Sequence, residues 1–264
     1  MNILCVGDIV GKPGREALEG LLKDLKNEFA IDFVVANSEN AAGGSGLTSR
    51  LAKDFLGIGC DVLTLGDHVW DQKELEPYLL EADQVIRPAN FPQGVPGRGW
   101  CLRKTSSGLS VGVINLLGRV FMRHQVRCPF EVLKEIVLEI KKETPIIVVD
   151  MHAETTSEKV AIGRFIDGQV SVLFGTHTHI QTADEKILPQ GTAYITDLGM
   201  TGPYDSVIGQ DKDAIIKRFL TSMPIRFQVA SAEIRLNGIV VQIDEKTGKA
   251  QKIIRIQRPF LNHI

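Results

Sequence analysis

Short apolar runs alternate with amphipathic stretches along most of this chain. "NILCVGD" at the start reads as a buried strand closed by turn residues. Leu18, Leu21, Leu22, Leu25 and Phe29 then recur at helical spacing, which predicts an amphipathic helix over 14–29. "IDFVVANSEN" repeats the strand pattern. Thr48 is placed to cap a helix running through Gly57, and "CDVLTLGDH" is a third strand. Together these predict βαβαβ, an order that builds parallel sheet.

From 84 to 128 the pattern weakens. "RPANFPQGVPGRG" reads as an irregular loop and "LSVGVINLLG" as a strand. Val132, Leu133, Ile136, Val137 and Ile140 mark another helix face, and "PIIVVDMHAE", "QVSVLFGTHTH" and "TAYITDLG" are strand-like. The C-terminal stretch from Arg226 alternates apolar and polar residues around "NG" and "KTGK", which predicts an antiparallel hairpin or meander. No repeat, heptad or linker interrupts the chain, so 1–264 is expected to be one domain.

Composition narrows the function classes. With 44% hydrophobic and 23% charged residues, the chain is expected to fold as an ordinary globular protein. A net charge of −2 excludes a global basic field that would draw it onto nucleic acid or anionic lipid. No apolar run is long enough to span a bilayer and the start lacks a signal-peptide pattern, so no membrane association and a cytoplasmic location are expected. Cys5, Cys60, Cys101 and Cys128 show no CxxC spacing and are expected to be reduced structural thiols.

The chemistry collects after the strands. Asp8 follows the first, Glu39 and Asn40 the second, Asp67 and His68 the third, Asp150 and His152 a later one, His177 and His179 the next. In an α/β sheet the carboxyl ends of the strands share one edge, so these groups are expected to converge. Carboxylates and imidazoles at one place suit iron, manganese or zinc, and a bridging carboxylate would give a pair of ions. Taken singly, an aspartate after a strand is a turn residue or cap. If "HTH" is extended, its two imidazoles lie on one face.

Other motifs carry less. "GKPGRE" lacks a complete phosphate-loop pattern, and "NAAGGSGLT" reads as a tight or flexible loop. "GRVFMRHQVR" could steer a nucleotide or RNA, but a solvated basic edge explains it better. His124 and His263 have no ligand-like context.

Six segments, "GDIVGKPGR", "NSENAAGG", "LGDHVWD", "DMHAETTSEK", "GTHTHIQTAD" and "TDLGMTGPYDSVIG", resemble in order the calcineurin-like metallophosphoesterases, most closely their bacterial YmdB-like branch. The resemblance implies a four-layered αββα sandwich holding two transition-metal ions, iron or manganese with zinc also compatible. It implies Asp8, Glu39, Asn40 and His179 at one ion and Glu39, Asp67, His152 and His177 at the other. His68 would be the catalytic histidine. The implied activity is hydrolysis of phosphodiesters, including 2′,3′-cyclic nucleotides, by a hydroxide shared between the ions.

Two departures from the wider superfamily stand out. Ile9 and Val10 follow Asp8, so the histidine of a DxH motif is absent and Asn40 would compensate, as in this branch. Asp67 stands where a neutral Asn is usual and would lower the positive charge of the centre. A non-catalytic nucleotide- or RNA-binding regulator and a phosphomonoesterase remain the alternative functions. The predicted C-terminal strands offer an edge for a homo-oligomer, although such edges are often covered internally.

Overall fold

The computed structural model describes residues 1–261, and His263 therefore lies outside the described residues. In chain order the elements are β1 (Asn2–Val6), α1 (Gly11–Glu28), β2 (Phe33–Asn37), α2 (Ser49–Gly57), β3 (Val62–Thr64), α3 (Leu75–Glu81) and β4 (Val85–Ile86). They continue with β5 (Trp100–Lys104), β6 (Ser110–Leu117), α4 (Pro129–Ile140), β7 (Ile147–His152), α5 (Thr156–Ile166), β8 (Val172–Thr176), β9 (Lys186–Ile187) and β10 (Ala193–Ile195). The last are β11 (Gly202–Pro203), α6 (Lys212–Thr221), β12 (Ile234–Ile243) and β13 (Ala250–Pro259).

Two sheets form the middle of the molecule. One runs β11-β12-β1-β2-β3-β4 with β13 paired to β12, and the other β5-β6-β7-β8-β10-β9. Pairs β1–β2, β2–β3, β6–β7 and β7–β8 are parallel, so their carboxyl ends lie together within each sheet. The alternation of side chains sorts the apolar residues into three cores. Ile3, Cys5, Phe33 and Val35 meet Val113, Val148, Val172 and Phe174 between the sheets. Leu4, Val6, Val34 and Ala36 instead face Leu18, Leu22 and Leu25 of α1 and Phe55 of α2. On the far side, Ile147, Val149 and Leu173 pack on Leu133 and Val137 of α4 and Ile162 of α5. The layers are therefore α, β, β, α, and central strands buried on both faces explain why their sequences read as unbroken apolar runs.

Three sequence expectations change. Helix α1 begins at Gly11 rather than 14, with Pro13 in its first turn, where its missing N–H is not needed. Asn237-Gly238 is not a turn but lies inside β12. A Cβ at Gly238 would fall 2.2 Å from the Cys5 carbonyl oxygen, so glycine is there for close approach to β1. The hairpin turn is at "DEKTGK" alone, where Asp244 accepts from the backbone N–H groups of Lys246 and Thr247. The irregular 84–128 region also contains β4 and the edge strand β5. Cys5, Cys60 and Cys101 are buried and none of the four cysteines is paired. Among the described residues no helix is long and apolar enough to cross a membrane.

Candidate metal centre

The carboxyl ends of both sheets meet at one buried cluster. Asp8 lies just past β1, Glu39 and Asn40 past β2, and Asp67 and His68 past β3, while His152 closes β7 and His177 and His179 follow β8. Glu39, Asp67, His152 and His177 each offer a donor atom, all within 4.8 Å of one another. Beside them Asp8 Oδ1 is 3.9 Å from His179 Nε2, and Asn40 Nδ2 is 3.2 Å from the same nitrogen. Glu39 joins the two groups: its Oε1 is 3.1 Å from His152 Nε2 and 3.1 Å from Asn40 Nδ2. All seven sequence-predicted residues thus lie around one place, four of them with converging donor atoms.

Each imidazole is anchored on one nitrogen and offers the other inward. Thr176 Oγ1 donates to Asp150 Oδ1 at 2.6 Å, so it must accept from His152 Nδ1 at 2.9 Å, which leaves Nε2 facing Glu39 and Asp67. His177 Nε2 is held by Glu154 Oε2 at 3.0 Å, turning Nδ1 toward Asp67 at 3.4 Å. His179 Nδ1 donates to the Ile208 carbonyl at 2.9 Å, leaving Nε2 toward Asp8. Outer anchors of this kind set the tautomer of a metal-binding histidine. Three imidazoles, three carboxylates and an amide fit a transition-metal pair better than calcium or magnesium.

The charges are interlocked. Burial pushes Asp8 above the ordinary carboxylate range, more than His179 and His152 pull it back. Burial also works against Glu39 and Asp67, but His152 outweighs it at Glu39, and hydrogen bonds from His152 and His177 outweigh it at Asp67, so both are held low. His152 is the converse: burial disfavours its charge, yet Glu39 and Asp67 raise it well above the usual imidazole value. A cation at Nε2 must displace that proton. Metal affinity is therefore expected to weaken as pH falls, with on the order of one proton released per chain at neutral pH. Calorimetry in buffers of different ionisation enthalpy measures the proton count, and pH-independent affinity would contradict it.

The "HTH" segment is not extended. Strand β8 ends at Thr176, and His177 and His179 have φ of 94° and 64°. Such left-handed backbone is disfavoured for residues with a Cβ and persists only when surroundings enforce it. The enforcing group is a buried ion pair behind the loop. Lys159 Nζ lies 2.7 Å from Asp197 Oδ2, which also accepts from Thr178 N–H at 3.3 Å and Thr178 Oγ1 at 2.6 Å. Lys159→Ala would leave Asp197 buried without its cation, so a loss of about 3–5 kcal/mol is expected in denaturant unfolding. A loss below about 1 kcal/mol would show that the pair does not brace the fold.

Asp150 is not among the donors. It sits one side-chain layer below His152, accepting from Asn37 Nδ2 at 2.9 Å, Thr64 Oγ1 at 2.5 Å and Thr176 Oγ1 at 2.6 Å, and burial pushes it up to about 6. It ties four strands of two sheets beneath the cluster. Gly66 is the opposite case, a residue whose side chain must be absent. A Cβ there would lie 2.3 Å from Glu39 Oε2 and 2.4 Å from His152 Nε2. Gly66→Ala is expected to remove bound metal while circular dichroism stays native, and full metal content in that variant would contradict the packing seen.

His68 stands at the rim. Its backbone N–H donates to Glu39 Oε2 at 3.1 Å, and its ring Nδ1 is 2.7 Å from Asp71 Oδ2 and 3.1 Å from Ser45 Oγ. With Nδ1–H given to Asp71, Nε2 is left for chemistry. Sequence reasoning missed Asp71, Ser45, Arg123 and His124. Asp71 lies three residues after His68 in "DHVWD", a spacing that would have suggested it. The other three come from loops without periodicity. Arg123 and His124, expected on a solvated basic edge, instead pack on the Asp67 loop: His124 Nε2 is 2.8 Å from the Asp67 carbonyl oxygen, and Arg123 Nε is 3.3 Å from Asp67 Oδ2. Arg127 does lie at the surface, paired with Glu135. A separate cavity of about 620 Å³ beside Arg98, Trp100 and Arg103 contains none of the seven donors.

Residues 4–256 match the family described as YmdB-like protein. The chain belongs to the YmdB-like family. A relative from Bacillus subtilis (strain 168), named 2′,3′-cyclic-nucleotide 2′-phosphodiesterase, is 48% identical over 97% of this chain and 96% of its own length. A Mycoplasma genitalium relative, named a putative phosphatase/phosphodiesterase, is 36% identical over 97% of this chain and 92% of its own. Among solved structures, a novel phosphatase from Mycoplasma pneumoniae superposes with a TM-score of 0.92 at 35% identity, covering 98% of this chain and 93% of that one. A hypothetical protein from Thermus thermophilus gives 0.91 at 37%, covering 98% and 99%. The αββα layering is thus that of a phosphatase, and this YmdB-like chain is a metal-dependent phosphodiesterase by kinship and by its buried Glu, Asp and His cluster.

Proposed function

We propose that this YmdB-like protein opens 2′,3′-cyclic nucleotides at the P–O2′ bond, leaving the 3′-phosphate, with two transition-metal ions bound at the seven donors. What supports this is the Glu39 carboxylate shared between two donor sets next to a histidine with a free Nε2. Asp8, Glu39, Asn40 and His179 would hold one ion, and Glu39, Asp67, His152 and His177 the other; iron or manganese suits this set, and zinc is compatible. When bound, the ions would polarise the phosphoryl oxygens and make water acidic enough to attack at neutral pH.

The chain's own groups supply the rest. As water oxygen joins phosphorus and gives up its proton to solvent, the P–O2′ bond breaks and O2′ takes the proton of Nε2–H from a His68 imidazolium, which solvent then reprotonates. Asp71, on the other side of the ring, holds Nδ1–H and keeps the imidazole aimed. The Bacillus subtilis relative's name supports a cyclic nucleotide as substrate, and an RNA end carrying a 2′,3′-cyclic phosphate presents the same reacting bond. The test is product identity: 2′,3′-cyclic AMP incubated with manganese-loaded protein is expected to give 3′-AMP. Formation of 2′-AMP would place the leaving oxygen wrongly, and an unchanged substrate would refute the activity.

A further inference from the structure

Arg123 comes from a loop that is built rather than loose. Glu158 at the start of α5 accepts the Arg119 N–H at 3.1 Å. Asn90 Nδ2 ties the two ends together, donating to the Leu117 and Arg127 carbonyls at 2.7 and 3.0 Å. Between these anchors the guanidinium reaches over the centre. Its Nε is 3.1 Å from the Asp67 carbonyl oxygen and 3.3 Å from Asp67 Oδ2, and its Nη2 is 3.1 Å from Asp71 Oδ1. Among the described residues no acceptor is found for Nη1, and the side chain is 46% exposed. One edge of the fork is thus spent on Asp67 and Asp71, while the other remains open.

Taking the dinuclear reading above as given, the charges explain why a cation is needed here. Asp8, Glu39 and Asp67 set three negative charges against two divalent ions, a formal excess of one positive charge that a shared hydroxide would cancel. Arg123 adds one positive charge beside Asp67 without adding an ion, in part offset by Asp71 on its Nη2. We infer that Arg123 is a third cationic element of the centre, offsetting Asp67 and presenting Nη1 to a phosphoryl oxygen of the substrate. Arginine suits the task because its planar fork can hold a carboxylate on one edge and a phosphate on another.

This role has a signature that a merely structural one lacks. A cation beside Asp67 repels a metal ion but attracts phosphate, so its removal must move the two affinities in opposite directions. Calorimetric titration of Arg123→Gln with manganese alone, then of the loaded protein with inorganic phosphate, reads both without relying on turnover. Manganese is expected to bind about tenfold more tightly and phosphate about tenfold more weakly, as a coulombic effect at short range and partial exposure. In the Asp67→Asn/Arg123→Gln variant phosphate affinity should return toward the wild-type value. Weakening of both ligands together would make Arg123 a brace for the Asp67 loop and overturn the inference, as would two unchanged affinities. Wild-type protein that takes up no manganese would overturn the dinuclear reading itself, an outcome distinct from failure at Arg123.

Discussion

His68→Ala is expected to cut hydrolysis of 2′,3′-cyclic AMP by about 10²–10⁴-fold, the usual contribution of a positioned general acid, while bound metal stays at the wild-type level. The imidazole ring is not among the close donors, and its backbone N–H to Glu39 survives the substitution. The loss should depend on the leaving group. A ribose oxygen departs as a poor alkoxide unless protonated, whereas nitrophenolate leaves without help. The variant should therefore be far less impaired on bis(p-nitrophenyl) phosphate than on the cyclic nucleotide. Equal losses on both substrates would move His68 from proton donor to phosphate binder.

Glu39→Ala should be more severe still. Its carboxylate contacts both His152 and Asn40, which places it as the proposed shared ligand, and it also accepts the His68 N–H. On the proposed assignment its removal would take a ligand from each ion at once, and it would leave His152 without one of the two carboxylates that support its charge. Loss of even a supporting residue around a metal ligand weakens binding about 10–100-fold, so the loss of a shared ligand should exceed that range. Metal analysis after gel filtration is expected to find the variant empty, with turnover at background. Two retained ions would remove Glu39 from the bridging position.

Much of this is legible in the sequence. The parallel strands announce themselves as apolar runs because they are buried on both faces, and their alternating residues fill the cores between the layers. The convergence of the seven candidate residues can be anticipated because each sits at, or just beyond, a strand that the pattern already marks. What stays hidden has physical reasons. Gly238 imitates a hairpin turn in sequence, yet is required inside β12 by its contact with β1. His177 and His179 converge through left-handed backbone held by Thr178 and Asp197, not through strand alternation. Ser45 and Arg123 reach the site on loops, where neither spacing nor hydropathy marks a destination. Asp150 has the chemistry of a ligand but a position one layer too deep, occupied by three hydrogen bonds across the sheets.

Two bound ions and one reaction stand or fall together. Protein stripped with chelator and titrated with manganese, with metal content and 2′,3′-cyclic AMP hydrolysis followed in the same samples, tests that link most directly. Turnover should rise as occupancy approaches two ions per chain and vanish on stripping. Two bound ions with the cyclic bond left intact, or hydrolysis that persists in stripped protein, would contradict it.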